Sequence, residues 1–291
     1  MDGLAIEKPH RPALRYHGGK WMLAPWIIEH FPSHRIYVEP FGGAASVLLR
    51  KDRSFMEVYN DLDGEVVNLF KVLRDRTKAK RLMDLLRLTP WSRAEFENSY
   101  TPSRYPIEQA RRTVLRSFMA FGTTVRREYM TGFRGKAERK NNTGINDWHN
   151  YPDSLSKVVN RLQGVCIESR PALEILRQQD DEETLFYVDP PYPHSTRVSV
   201  KFDSRKDRCY AHEMTDDDHR ELSAALHSVK GMVVLSGYHC ELYNQELYKD
   251  WRSVERTGFA DGGAKRIEVL WLNPAAVSRL ESDRSQGILF A

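Results

Sequence analysis

The clearest early run of apolar positions is Arg35-Ile36-Tyr37-Val38-Glu39, which breaks at Pro40-Phe41-Gly42-Gly43 and resumes as Ala44-Ala45-Ser46-Val47-Leu48-Leu49. A β-rich run, a Pro/Gly turn and an apolar stretch read as strand, glycine loop, helix. Phe55-Met56-Glu57-Val58-Tyr59 is a second strand candidate that ends at Asn60-Asp61. Asp63 then stands at an N-cap position, ahead of a helix that carries Val66, Leu69, Phe70 and Leu73 on one face. Later, Val165-Cys166-Ile167-Glu168 predicts a strand and Ala172 to Gln178 a helix. Thr184-Leu185-Phe186-Tyr187-Val188 predicts a further strand, which two consecutive prolines must stop at Asp189-Pro190-Pro191-Tyr192. Thr215 and Asp218 have the spacing of a capping box before a helix with Leu222, Ala225, Leu226 and Val229 inward. Strands at Met232-Val233-Val234-Leu235-Ser236 and Ile267-Glu268-Val269-Leu270-Trp271-Leu272 follow.

Strands that alternate with helices imply an α/β fold with a mostly parallel sheet covered on both faces. Such sheets take ligands at the carboxyl ends of their strands. The stretch from Arg76 to Gln163 breaks the alternation. It has amphipathic helices built on Leu82, Leu85 and Leu86 and on Ile107, Ala110, Val114, Leu115 and Phe118, then a polar Gly/Asn-rich tail. The expected organisation is a body of residues 1–75 and 164–291, with residues 76–163 inserted as a mainly helical subdomain.

The 291 residues are 41% apolar and 29% charged, with 12 Phe, 13 Tyr and 6 Trp, which excludes a disordered tail or a fibre. Cys166, Cys209 and Cys240 are odd in number and far apart, against a disulfide framework or a CxxC pair and in favour of a reducing compartment. Met1 to Pro12 has no signal-like apolar stretch, and no run approaches the roughly 18 apolar residues of a membrane span. The expected location is the cytoplasm. A net charge of +4 says little alone. Between Thr101 and Lys140, however, ten basic and three acidic residues give a local balance of +7, so the rest of the chain is net acidic. Phe118, Phe121, Tyr129 and Phe133 lie between those charges. The pattern fits a surface that tracks a phosphate backbone; a solvated helix face is the competing reading.

The glycine pair after the first strand lets a backbone approach a nucleotide-like ligand, although the full Rossmann fingerprint is missing. Asp61 stands about 20 positions downstream, where an acidic residue grips a ribose diol. Asp63 is better placed for the helix cap, which leaves Asp61 for the ligand. Asp189-Pro190-Pro191-Tyr192 is the more specific signal. A strand that empties into a carboxylate, a rigid carbonyl and an aromatic ring suits a planar amine, whose two N–H groups Asp189 and the Pro190 carbonyl can accept while Tyr192 stacks. A plain turn is the alternative. The histidines form no HExxH or Cys/His cluster, so no metal site is expected, and Cys240 beside His239 lacks the third partner of a cysteine nucleophile.

Tyr16-His17-Gly18-Gly19-Lys20, Val38-Glu39-Pro40-Phe41-Gly42-Gly43-Ala44, Asn60-Asp61 and Asp189-Pro190-Pro191-Tyr192 occur in the order of the motifs of the Dam-like DNA adenine methyltransferases, which this chain resembles. Asp218-His219-Arg220-Glu221-Leu222, Leu235-Ser236-Gly237-Tyr238 and Arg266 to Pro274 are similar to that family's C-terminal half, especially its phage and prophage members. The resemblance runs from Leu14 to Pro274. It implies a seven-stranded methyltransferase sheet, S-adenosylmethionine as methyl donor with S-adenosylhomocysteine as product, and adenine in double-stranded DNA as substrate. A monomer on DNA with no membrane association is the further expectation; a cognate restriction endonuclease as partner, an orphan enzyme and an anti-restriction role stay open as alternatives.

Carried over by position, Tyr16 and Lys20 would contact the donor, Glu39, Pro40, Phe41, Gly42 and Gly43 would line its methionine end, and Asp61 would take the ribose hydroxyls. Asp189 would lie between donor and target. Near the donor's adenine the family often has an aspartate where this chain has Arg170, so Glu168 or Ser169 is the expectation there. The insertion would recognise the target, with Arg111, Arg112, Arg116, Arg126, Arg127, Arg134 and Lys136 facing DNA and Arg197 just past the catalytic motif. Asp189, Pro190 and Tyr192 would carry direct in-line transfer to an extruded base. Methylation of the cytosine N4 amine, of RNA or of a protein amide, and a non-catalytic DNA-binding module, are the alternatives.

Overall fold

The computed structural model describes residues 8–122, 127–128, 130–135, 143–196, 210–259 and 265–287. In chain order its elements are α1 (Ala24–Ile28), β1 (Ile36–Glu39), α2 (Ser46–Arg50), β2 (Met56–Asn60), α3 (Gly64–Arg74), α4 (Arg76–Leu88), α5 (Arg93–Asn98), α6 (Pro106–Met119) and α7 (Thr143–Arg161). Then come β3 (Val165–Glu168), α8 (Ala172–Gln178), β4 (Thr184–Val188), α9 (Asp216–Ser228), β5 (Met232–Gly237), β6 (Arg252–Phe259), β7 (Lys265–Leu272) and α10 (Pro274–Ser285).

The strands form one seven-stranded sheet in the order β3-β2-β1-β4-β5-β7-β6. Neighbours from β3 to β5 are parallel, and β7 runs antiparallel to both β5 and β6. The expected α/β class and mostly parallel sheet are therefore present. Successive strand residues point to opposite faces and build two apolar cores. Tyr37, Tyr59, Leu185 and Tyr187 join one core with α2, α3 and α6, while Val38, Val58, Phe186 and Val188 join the other with α8 and α9. Every residue of β4 is buried, as a strand covered on both faces requires.

Local signals set the helix starts. The Asp63 carboxylate accepts from the Glu65 and Val66 N–H groups at the head of α3. Thr215 and Asp218 close a reciprocal capping box on α9, with Thr215 N–H to Asp218 Oδ2 at 2.7 Å and Asp218 N–H to Thr215 Oγ1 at 3.2 Å.

Within residues 76–163 the described residues form α4, α5, α6 and α7, whose apolar side chains join the core under the sheet. Ala110, Val114, Leu115 and Phe118 of α6 and Tyr151 and Leu155 of α7 belong to the same apolar cluster as Leu48, Tyr59 and Phe70. α6 lays its stripe against α3, which fuses the segment to one face of the sheet. The polar tail anticipated after α6 contains the long helix α7, and β6 is an additional edge strand. Among the described residues no helix is long and apolar enough to cross a membrane.

Candidate active site

The chain changes its direction of travel across the sheet between β1 and β4, which pair in parallel with Val38 opposite Phe186. The loops leaving these strands diverge, and a crevice opens at that point in such sheets. A cavity of about 350 Å³ lies there, lined by both loops and large enough for a cofactor-sized ligand.

β1 brings Glu39 to the cavity wall. The Gly42 N–H donates to Asn60 O at 2.8 Å. A Cβ at Gly42 would fall 2.2 Å from the Tyr59 ring, so only glycine lets the two strand ends approach. Gly43 (φ 46°) and Ala45 (φ 53°) are left-handed and turn the loop into α2. Glu39 Oε1 accepts from Tyr37 Oη at 2.7 Å and from the Leu48 N–H at 2.8 Å. Burial pushes the Glu39 pKa up to about 7, while those hydrogen bonds pull the other way. The buried Ser46 hydroxyl, also on the cavity wall, has no hydrogen-bond partner among the described residues.

Asp61 faces the same space from the end of β2. Its Oδ2 accepts from the Gly43 N–H at 2.8 Å and its Oδ1 from the Asp63 N–H at 2.7 Å. It therefore ties the glycine loop to the start of α3 and retains lone pairs for a ligand. Burial raises its pKa to about 6 against the pull of both amides.

β4 leads directly into Asp189, whose Oδ1 accepts from Tyr192 Oη at 2.9 Å and lies 3.3 Å from Lys20 Nζ. Lys20 donates to Gly18 O at 3.1 Å and stands 4.8 Å over the Tyr192 ring. Burial works against the Lys20 charge, but Asp189 and more distant groups including Glu268 outweigh it, and the pKa is raised. Burial likewise lifts the Asp189 pKa, with Lys20 opposing. Tyr192 Oη also lies 3.3 Å from Ser236 Oγ. The Tyr192 ring is 6% exposed and carries the Lys20 ammonium over one face. A planar base must stack on the other face or displace Lys20. The cluster offers a desolvated carboxylate acceptor, backed by a cation, beside a cavity with a second carboxylate.

Tyr16, Lys20, Glu39, Pro40, Phe41, Gly42, Gly43, Asp61 and Asp189 all line this one cavity. Pro190 and Tyr192 are buried next to Asp189, outside the cavity lining. Glu168 and Ser169 do not reach it. The turn after β3 is clamped to β2, with the Arg170 N–H to Asn60 Oδ1 and Asn60 Nδ2 to Arg170 O, both at 2.9 Å. It is the following Pro171, Ala172 and Leu173 that face the cavity, across from Met214 and Leu222 of the α9 region.

Three of the arginines expected to face DNA are committed inside the fold. Arg116 is fully buried and bonded to Glu65 and Ser99 O. Arg111 pairs with Glu95 and Glu108, both at 2.8 Å, and Arg112 with Glu108 at 2.7 Å. They sit where α6 packs against α3 and α5, so acidic neighbours take up their charge. Arg127 is more exposed, 3.2 Å from Glu65 Oε1, and half-buried Arg134 is tied by its backbone to Met119 O at 2.9 Å. Arg126, Lys136 and Arg197 lie outside the described residues.

Sequence reasoning missed Ser46, Ser236, Tyr238, Glu268 and the wall formed by Tyr210 to Met214. Glu268 had a visible signal: it is the lone acid in the run Ile267 to Leu272. Tyr210 had none, because only the tertiary fold brings its hydroxyl against Gly18, where a Cβ would lie 2.5 Å away. Among the described residues no group of three or more potential metal ligands occurs.

A family model for the D12 class N6 adenine-specific DNA methyltransferase matches residues 16–259. The DNA adenine methylase of Serratia marcescens is 34% identical over 70 residues, 24% of this chain and 26% of that protein. That of Escherichia coli K12 is 36% identical over 70 residues, 24% and 25% of the two chains. That of Vibrio cholerae serotype O1 El Tor Inaba is 36% identical over 74 residues, 25% and 26%. The chain thus matches about a quarter of the length of these curated relatives.

Proposed function

The chain belongs to the D12 class N6 adenine-specific DNA methyltransferase family, and from that premise we propose that it transfers a methyl group from S-adenosylmethionine to the N6 amine of adenine in double-stranded DNA. The observation that carries the reading is the Asp189 carboxylate, held by Lys20 and Tyr192, on the wall of the same cavity as Asp61 and the glycine loop.

The cavity suits that donor. Phe41, Pro171, Leu173, Met214 and Leu222 offer an apolar slot for a purine, Asp61 keeps acceptor capacity for a ribose diol, and the Ser46 hydroxyl awaits a polar partner. When bound, S-adenosylmethionine supplies an electrophilic methyl group on a sulfonium.

Asp189 and the Pro190 carbonyl would accept the two N–H groups of the target amine and draw its lone pair out of conjugation with the ring. Preorganised acceptors in a site shielded from water act more strongly than they would in solution. Burial, by raising the Asp189 pKa, also improves it as an acceptor for the proton the amine gives up. Extruding the base costs a few kcal/mol, of which stacking on Tyr192 would return about 1–3 kcal/mol. Of the residues expected to face DNA, Arg126, Arg127, Arg134, Lys136 and Arg197 would follow its backbone. A monomer on DNA, in the cytoplasm, with a cognate restriction endonuclease, completes the reading.

Incubating the protein with S-adenosylmethionine and duplex DNA, then mapping modified bases at single-base resolution, tests it. N6-methyladenine in a defined sequence is the expected product; N4-methylcytosine, or no modified base, overturns the reading.

A further inference from the structure

Glu268 is 8% exposed, yet it carries a carboxylate in a strand whose next four residues, Val269 to Leu272, are buried and apolar. Its Oε1 accepts from Tyr238 Oη at 2.9 Å, and its Oε2 has no hydrogen-bond partner among the described residues. A buried carboxylate with one oxygen unsatisfied is costly to keep. Its position follows from the topology. β7 pairs antiparallel with β5, Gly237 opposite Val269, so Tyr238 leaves β5 beside Glu268.

From there the contacts run without a gap to the end of β4. The Tyr238 ring meets Tyr192 edge-on, with centroids 4.8 Å apart at 78°, and the Tyr192 hydroxyl donates to Asp189 at 2.9 Å. The Arg266 guanidinium lies 5.2 Å from the Tyr238 ring centroid, and its Nη1 donates to the Tyr238 hydroxyl at 3.4 Å. Glu268 also bears electrostatically on Lys20 and Asp189. The carboxylates of Asp189 and Glu268 thus face two cations, the buried Lys20 ammonium and the half-buried Arg266 guanidinium, with Lys20 the one in contact with Asp189.

We infer that Glu268 is a positioning residue for the methyl-transfer site, anchoring Tyr238 against Tyr192 and adding a second negative charge that holds the Lys20 ammonium beside Asp189. The inference rests on the proposed methyl transfer. Its two routes separate by substitution. Glu268→Gln keeps an acceptor for Tyr238 and removes the charge, while Tyr238→Phe keeps the charge and removes the hydrogen bond.

In single-turnover methylation of duplex DNA, each single variant loses about 10- to 100-fold in rate while S-adenosylhomocysteine binds within about twofold of wild type. Unchanged rates in Glu268→Gln and Glu268→Ala, or a rate loss accounted for by a fall in melting temperature, overturn the inference. A second measurement needs neither donor nor DNA. Acetic anhydride labelling of Lys20, read by mass spectrometry, rises at least about threefold in Glu268→Gln if the charge holds the ammonium; an unchanged rate overturns that half. Absence of adenine methylation by the wild-type protein defeats the functional reading, and the labelling result is independent of it.

Discussion

The Lys20 ammonium and the Asp189 carboxylate form a buried ion pair at 3.3 Å that joins the N-terminal glycine turn to the end of β4. Each partner acts on the other's charge: Lys20 opposes the rise that burial imposes on the Asp189 pKa, and Asp189 raises that of Lys20 against its burial.

Removing either partner has different expected consequences. Asp189→Ala lowers methyl transfer by about 10²- to 10³-fold or more, the scale of losing a preorganised polar group at the reacting centre. Binding of S-adenosylhomocysteine, measured by calorimetry, survives. Full turnover by this variant would remove Asp189 from the chemistry. Lys20→Met instead leaves a buried carboxylate without its counter-charge and costs about 3 kcal/mol of stability in denaturant titration.

Donor binding should depend on pH through Asp61. Burial puts its pKa at about 6, above the ordinary carboxylate range. A ligand that hydrogen-bonds the ionised form binds fully above that value and loses affinity as pH falls through it. Calorimetric titration of S-adenosylhomocysteine across this range shows the acid limb, and Asp61→Asn both weakens binding and removes the limb. An Asp61→Asn variant with the same pH profile as wild type would assign the titration elsewhere.

Stability should change in the opposite sense through Glu39. Its pKa rises from 4.5 to about 7 on folding because the carboxylate is buried. The protonated form is favoured in the fold, so its contribution is complete below the ordinary pKa and is lost as pH rises through about 7. That shift corresponds to about 3 kcal/mol. Melting temperature of the ligand-free protein should therefore decline over that interval, and Glu39→Gln should flatten the decline.

The arginines divide into two classes that a salt titration separates. Neutralising Arg126 and Arg127 lowers the slope of log affinity for DNA against log salt by about 2. Neutralising Arg111 and Arg112 leaves that slope in place and reduces stability, since both are spent on Glu95 and Glu108. Equal slopes in wild type and the Arg126/Arg127 variant would take these residues off the DNA backbone.

Glu65 gives a further stability test. Arg116 is fully buried against it, so Glu65→Ala strands a buried guanidinium and costs about 3–5 kcal/mol by denaturant unfolding. A near-neutral result would mean that Ser99 O and Thr113 Oγ1 suffice to hold Arg116.

Legibility in the sequence tracked how local each determinant is. The strands β1, β2, β4 and β5 were readable because parallel strands covered on both faces are continuous apolar runs. The caps at Asp63 and Thr215 were readable because a cap and the amides it satisfies are at most three residues apart. α7 was not, because Pro152 interrupts its pattern and its identity as a helix depends on burying Trp148, Tyr151 and Leu155 against α3, α4 and α6. β6 was hidden because an edge strand is polar and mostly exposed, and only its pairing with β7 makes it a strand.

The sequence by itself determined the βα framework, the glycine loop and the placing of Asp61 and Asp189 at strand ends, since each rests on residues adjacent in the chain. The tertiary structure alone decided which charges face outward and which groups surround Asp189. The +7 segment lost Arg111, Arg112 and Arg116 to glutamates on α3, on α5 and within α6, and Asp189 gained Lys20, Tyr238 and Glu268 from three distant stretches. Formal charge is a property of composition, but its effect depends on distance and desolvation, and those exist only once the sheet has brought the strand ends together.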